Sequence, residues 1–180
     1  GARSGQGGQP DLGAAPVRVL SGAAAALLLG ERHVAADALA REGLGKLGYD
    51  IRAELERPSA VVWAAADDDG VLGFLLGWRV ADELQIFDVV VRAAERRRGV
   101  GRRLVDAALA DAVTLHGLKV SLLEVRRSNV AARRLYRSAG FVAVRLRPGY
   151  YDDPQEDAVE MACELEPGAL KEFERLIEDD

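Results

Sequence analysis

Apolar positions along this chain of 180 residues fall into two rhythms, one of period two and one near 3.6, and the punctuation between them is mostly glycine and proline. Residues 1–16 carry neither rhythm. Gly, Ala, Gln and Pro dominate there, and the segment reads as a disordered tail. Val17 to Leu20 reads as a short strand, and Ser21 is placed to cap an apolar helix running to about Leu39. Gly43, Gly45 and Gly48 break that pattern, and a short helix is expected from Asp50 to Glu56, stopped by Pro58. Val61 to Ala65 and Val71 to Val80 flank the turn Asp67-Asp68-Asp69-Gly70, which predicts an antiparallel hairpin.

Glu83 to Val91 is a third, longer apolar strand. A helix is expected from Gly101 to His116, with Gly117 as its C′ residue. Lys119 to Glu124 is the next strand. Strands joined through a helix are normally parallel with a right-handed crossover, so Ile86–Val91 and Val120–Glu124 are expected to pair in parallel. Asn129 to Ala139 reads as a helix ended by Gly140. Phe141–Arg147 and Ala158–Leu165 read as two closing strands, and one more short helix follows Pro167. The order is β-α-α-β-β-β-α-β-α-β-β. It predicts a mixed α/β domain over 17–166 with a helical extension over 167–180.

Composition adds limits. With 49% hydrophobic and 29% charged residues, the chain has the balance of a soluble globular protein. The net charge of -5 argues against nonspecific binding of nucleic acid by the whole molecule. The cations are nevertheless clustered: Arg92, Arg96, Arg97, Arg98, Arg102 and Arg103 crowd one short segment, opposed only by Glu95. A basic spot on an acidic protein suits a small polyanion. The lone cysteine, Cys163, excludes a disulfide within the chain and fits a reducing compartment. With only His33 and His116, no metal site is expected. Ala23 to Leu29 is too short to span a bilayer and Glu31-Arg32 follow it, so it reads as a buried helix. A cytoplasmic protein without membrane contact is expected. Trp63 and Trp78 are assigned to the core, Cys163 to a structural position, and Arg133 and Arg134 to a solvated helix face.

The basic segment joins a strand to a helix through Arg96-Arg97-Arg98-Gly99-Val100-Gly101. Helix N-termini leave backbone N–H groups unpaired, and the helix dipole favours an anion there. Glycines let a phosphate approach the backbone, and arginines add charge-assisted hydrogen bonds. The segment is neither a Walker A loop nor a GxGxxG fingerprint. A second group lies further on. Glu124 ends a strand, and Asn129 and Tyr136 lie two turns apart on the next helix with small Ala132 between them. Each has a plain structural alternative: a solvated strand-end carboxylate, a helix cap and a core aromatic, respectively.

The Arg-x-x-Gly-x-Gly turn after the third long strand resembles the acetyl-coenzyme A signature of the GNAT acetyltransferases. Leu123-Glu124-Val125-Arg126, Ser128-Asn129, Ala132, Leu135-Tyr136, Gly140-Phe141, Tyr150-Tyr151, Glu156-Asp157-Ala158 and Met161 resemble its bacterial ribosomal-protein-alanine N-acetyltransferase branch. The likeness runs from about Leu72 to Leu165. It implies a mixed, mostly antiparallel sheet flanked by helices, with a central parallel strand pair splayed around acetyl-CoA. It implies Glu124 as general base, directly or through water, and Tyr136 as general acid toward the coenzyme A thiolate. Asn129 would hydrogen-bond the cofactor, the backbone of Val89, Val90 and Val91 would pair with its pantetheine arm, and Arg96, Arg97, Arg98, Gly99, Val100, Gly101 and Arg102 would hold its pyrophosphate.

The implied acceptor is a protein N-terminus such as the alanine of ribosomal protein S18. That branch usually carries a Phe-Pro-Trp-Ser-like segment after its first helix, whereas Ala40 to Asp50 has Leu44, Leu47 and Tyr49 without Pro-Trp-Ser. The acceptor therefore stays open among a protein N-terminus, a lysine side chain and a small amine, and a non-catalytic coenzyme A-binding module is the alternative from another class. Tyr150 and Tyr151, beside Asp152 and Asp153, are candidates to line an acceptor channel with an acidic rim that suits a cation.

Overall fold

The computed structural model describes residues 16–31 and 51–171. The tail at 1–15, the Ala40–Asp50 segment, the end of the first expected helix and the last nine residues lie outside them. The described elements are β1 (Arg18–Ser21), α1 (Gly22–Glu31), α2 (Ile51–Leu55), β2 (Ala60–Asp67), β3 (Gly70–Val80) and β4 (Glu83–Val91). A 3-10 turn at Ala93–Glu95 leads to α3 (Val100–Thr114), β5 (Val120–Arg126), α4 (Val130–Ser138), β6 (Val142–Asp152) and β7 (Gln155–Glu164). The strands form one seven-stranded sheet in the order β1-β2-β3-β4-β5-β7-β6. Every neighbouring pair is antiparallel except β4 and β5.

Helices cover both faces of the central strands, which is why β3 reads as an almost unbroken apolar run instead of an alternating one. On one face α3 contributes Leu104, Val105 and Ala108, and α4 contributes Tyr136; they pack with Trp63, Leu75, Leu84, Ile86, Leu123 and Met161. On the other face Ala25 and Leu29 of α1 and Ile51 of α2 pack with Val62, Ala64, Phe74, Leu76 and Val90. Each of the large, fully buried side chains contributes roughly 1.5–3 kcal/mol by leaving water.

Three details depart from the sequence pattern. First, the parallel pairing is shorter than expected and shifted: Glu83–Ile86 lie beside Val120–Leu123, and no register joins the rest of the two strands. The cause lies in β4. Leu76 of β3 stands opposite Asp88 while the next residue, Gly77, stands opposite Ile86, so Phe87 is an extra residue in β4. A bulge bends its strand and ends pairing. Second, β6 and β7 are longer than Phe141–Arg147 and Ala158–Leu165. β6 runs on through Pro148 and Gly149 to Asp152, with a register shift between Arg147 and Tyr151. Pro148 is tolerated because β6 is the sheet's outer strand, where a missing N–H costs no ladder bond. Third, Trp78 is only half-buried. Its indole donates to Glu54 Oε2 at 3.2 Å, and its ring stacks on Phe87 at 4.8 Å instead of filling the core. Trp63 does fill the core, at 2% exposure, with its Nε1 donating to Asp111 Oδ2 at 2.8 Å. No helix of the described residues is long and apolar enough to cross a membrane.

Candidate active site

The strand–turn–helix between β4 and α3 is built as an anion seat. Gly99 is the N-cap of α3 with φ 80 and ψ 2, a left-handed conformation that a side chain disfavours, and no side chain caps the helix. Arg103 N–H bonds to the Gly99 carbonyl at 3.0 Å. The N–H groups of Val100, Gly101 and Arg102 precede that first intrahelical bond and so have no partner within the helix. A Cβ on Gly99 would meet nothing within 4 Å, so the space beside the cap is open. A Cβ on Gly101 would come within 3.2 Å of Leu135 Cδ2 and 3.5 Å of Val91 Cγ2, so this glycine lets α3 sit close to α4 and β4.

The arginines divide into anchors and a free cation. Arg92 donates to the Val71 carbonyl at 2.6 Å, and Arg96 Nε to the Val91 carbonyl at 3.1 Å. Arg98 pairs with Glu95 at 2.6 Å, and Arg102 pairs with Asp106 at 2.7 Å and reaches Ser138 Oγ at 3.3 Å. Arg103 bonds to the Val17 carbonyl at 3.3 Å. Among the described residues Arg97 has no such partner, and its φ of 63 places it in the left-handed region that few non-glycine residues occupy. The helix dipole and an uncommitted guanidinium thus meet at one turn.

The second group gathers where β4 and β5 part. Leu123 and Val125 face the α3–α4 side of the sheet, so Glu124 between them faces the other. Its Oε1 accepts a short hydrogen bond from Arg147, and the Arg147 guanidinium also lies 4.5 Å from the centre of the Tyr150 ring. The Tyr151 hydroxyl donates to the Glu124 carbonyl at 3.4 Å. Tyr136 comes from α4 on the opposite face and is buried against Phe141, with ring centres 5.8 Å apart. Burial above all, then the charge of Asp88 and the proximity of Tyr151, pushes its phenol well above the ordinary tyrosine value. Tyr151 is pushed up to about 12, by burial first and then by Tyr150, with Arg126 pulling the other way.

Asn129 is the N-cap of α4: its Oδ1 accepts from Ala132 N–H at 3.1 Å, the cap that its position allowed. Arg133, assigned to a solvated face, is half-buried and donates to the Arg127 carbonyl at 3.0 Å, whereas Arg134 is exposed. Cys163 is a buried core residue whose thiol is raised by burial and by Glu164, which favours an unreactive thiol. Val90 is buried with Phe74 and Leu76, and Val89 and Val91 pack on the opposite side.

Three residues at this site carried no sequence signal. Arg147 lies 23 positions from Glu124 and meets it only because β6 and β7 continue past Pro148. Asp88 is brought to the site by the bulge. Arg126 fastens the β6–β7 tip: it donates to the Asp153 carbonyl at 3.0 Å and the Pro154 carbonyl at 3.1 Å, pairs with Glu156 at 3.3 Å and lies 4.1 Å from the centre of the Tyr151 ring. Hydrogen bonds from Ser128 foremost, and then the Arg126 guanidinium, hold the Glu156 carboxyl below its usual value. Among the described residues no group of three or more His, Cys, Asp or Glu is arranged to hold a metal ion.

The family model described as acetyltransferase (GNAT) family matches residues 32–141. Among proteins of known name, the ribosomal protein bS18-alanine N-acetyltransferase of Salmonella typhimurium is 40% identical over 100 residues, which cover 54% of this chain and 67% of that protein. The solved ribosomal-protein-S18-alanine N-acetyltransferase from Escherichia coli superposes with a TM-score of 0.72 at 24% identity, covering 86% of this chain and 97% of the other. A Bacillus anthracis acetyltransferase solved in complex with acetyl coenzyme A superposes with a TM-score of 0.57 at 24% identity, covering 66% of this chain and 69% of the other. At these identities the structural matches speak for the fold.

Proposed function

The chain belongs to the acetyltransferase (GNAT) family, and from that premise we propose that it moves an acetyl group from acetyl-CoA to a protein N-terminal amine, with the N-terminal alanine of ribosomal protein S18 as the leading acceptor. One observation carries the reading. β4 and β5 part beyond Ile86 and Leu123, with the arginine–glycine turn following β4, Glu124 on one face of the opening and Tyr136 entering from the other.

The residues present suit the cofactor. In this reading the free N–H groups of Val100, Gly101 and Arg102 and the side chain of Arg97 take the pyrophosphate, with Arg96, Arg98 and Gly99 shaping the turn. The unpaired edge of β4 at Val89–Val91 supplies backbone groups for the pantetheine arm. Asn129 spends its carbonyl oxygen on the cap and keeps its amide N–H groups for the cofactor.

The chemistry needs a base for the ammonium and a donor for the leaving sulfur. Glu124, oriented by Arg147, is the base. The proton must cross a gap between a carboxyl pKa near 4.3 and an amine near 7.7–8, which an intervening water or local desolvation narrows. Tyr136 is the donor. A phenol raised by burial is a reluctant acid toward a thiol of pKa about 8.5, but the same burial raises the basicity of a thiolate beside it. Because the phenol keeps its proton, it also offers the sulfur a hydrogen bond throughout the neutral range.

The test is a panel of Ala-starting peptides, including the S18 N-terminal sequence, set against free polyamines and aminoglycosides, with acetylated products identified by mass spectrometry. Turnover of the peptides supports the proposal. Turnover of the small amines alone would sink it, and acetyl-CoA binding without turnover of any acceptor would leave a binding module.

A further inference from the structure

Glu124 shares the opening with a second carboxylate. Asp88 is the first β4 residue after the extra residue Phe87, and it stands opposite Leu76, which packs on the α1–α2 face of the sheet. Cross-strand partners share a face, so Asp88 projects to that side. Glu124 projects to the same side, away from Leu123 and Val125. Ile86 and Leu123 are the last residues paired across the two strands. One carboxylate therefore stands on each lip of the split, both facing away from α3 and α4.

The two lips differ in their surroundings. Glu124 is engaged by Arg147 and has Tyr150 nearby. Asp88 is half-buried, and its charge is felt by the phenols of both Tyr136 and Tyr151, which places it at the mouth of the split. Beside it Phe87, 44% exposed, lies flat against Trp78 at an interplanar angle of 25°. Glu54, only 6% exposed, accepts from the Trp78 indole and pairs with Arg57 at 3.0 Å, which holds this aromatic pair in place.

We propose that Asp88 is an acceptor-binding residue: it holds the substrate's cationic amine by a charge-assisted hydrogen bond across the split from Glu124, and the Phe87–Trp78 stack beside it receives an apolar substituent next to that amine. The ligand class is a primary ammonium on a carbon bearing a small apolar group. The inference rests on the acetyltransferase reading and adds to it a residue that selects the acceptor. It also divides labour between the two acids, Asp88 in binding and Glu124 in proton removal.

Steady-state kinetics of the full chain with Asp88→Asn, Asp88→Glu and Glu124→Gln test this, using whichever amine the wild type acetylates, peptide or spermidine. Asp88→Asn should raise the acceptor KM about ten-fold or more, the scale of a lost hydrogen bond to a charged group. Its kcat and its acetyl-CoA KM should stay within about three-fold, since uniform binding is lost without transition-state binding. Asp88→Glu should recover most of the acceptor affinity, and Glu124→Gln should act on kcat instead. An unchanged acceptor KM in Asp88→Asn would overturn the proposal, as would a fall in kcat matching that of Glu124→Gln. Calorimetric acetyl-CoA affinity checks that the variant is folded. If it is not, the wild type decides: an acceptor should compete better than its analogue with hydrogen in place of the amine, and equal competition overturns the proposal. Because any amine substrate serves, failure of the peptide-acceptor reading leaves this test intact.

Discussion

Removing the Arg126 guanidinium should loosen the β6–β7 tip and lower stability by an amount that the structure bounds. The side chain bridges the end of β5 to two carbonyls of the tip, Asp153 at 3.0 Å and Pro154 at 3.1 Å, and covers the Tyr151 ring at 4.1 Å. A hydrogen bond from a charged donor is worth about 1.5–3 kcal/mol when well buried. Arg126 is 31% exposed, so the low end applies to each carbonyl bond. The cation–π contact adds about 0.5–1 kcal/mol. The contact with Glu156, a solvent-facing carboxylate, is given no share. Arg126→Ala should therefore cost about 2–4 kcal/mol, which for a domain of this size lowers Tm by about 5–12 °C. Arg126→Lys keeps the charge but loses the planar fork that reaches both carbonyls, and should fall between wild type and Ala. Scanning calorimetry at neutral pH reads all three. A Tm within 2 °C of wild type for Arg126→Ala would refute the reasoning and assign the tip's order to the β5–β7 and β6–β7 ladders alone.

Other substitutions probe the scaffold. Gly73→Ala would bring a Cβ to 2.5 Å from the Val90 carbonyl oxygen and 3.2 Å from Val91 Cα, so β3 and β4 must part; a loss of about 2–3 kcal/mol or more is expected in urea unfolding, and an unshifted midpoint would contradict it. Asp111→Ala strands the buried Trp63 N–H and should cost about 1–3 kcal/mol by the same measurement, while Asp111→Asn, which keeps an acceptor, should cost less. Alkaline pH should destabilise the fold through its tyrosines. The native phenols of Tyr136 and Tyr151 lie above the unfolded value near 10, so their stabilisation is complete below pH 10. It is lost as pH rises from 10 through about 12, where Tyr151 ionises, with the loss from Tyr136 extending beyond. Tyr151→Phe should flatten stability over pH 10–12, and an unchanged slope would exclude Tyr151 as the source.

The hydrophobic rhythm carried much of the architecture. β4 begins and ends at Glu83 and Val91 as its apolar run does, and the element order and the parallel β4–β5 neighbours follow from period and crossover handedness. The phosphate-seat turn was legible because glycine spacing is a local signal. Features that depend on partners far along the chain were not. The extra residue at Phe87 is defined by the register with β3, and no local residue type announces it. Pro148-Gly149 reads as a stop, yet an edge strand tolerates it, and that continuation delivers Arg147 to Glu124. Trp78 looked like core because tryptophan is mostly apolar; its indole N–H finds Glu54 at the rim instead. Asn129 kept the same alternative in sequence and structure, a cap whose remaining amide hydrogens are available to a ligand.

The central claim, that Tyr136 serves the leaving thiolate in acetyl transfer, is tested most directly by steady-state kinetics of Tyr136→Phe with acetyl-CoA and an acetylated acceptor. Loss of a positioned acid is expected to lower kcat by about 10²–10⁴-fold while the acetyl-CoA KM changes by no more than a few fold, since the arginine–glycine turn is untouched. A kcat equal to that of the wild type would contradict the account and return Tyr136 to the role of a core aromatic packed on Phe141.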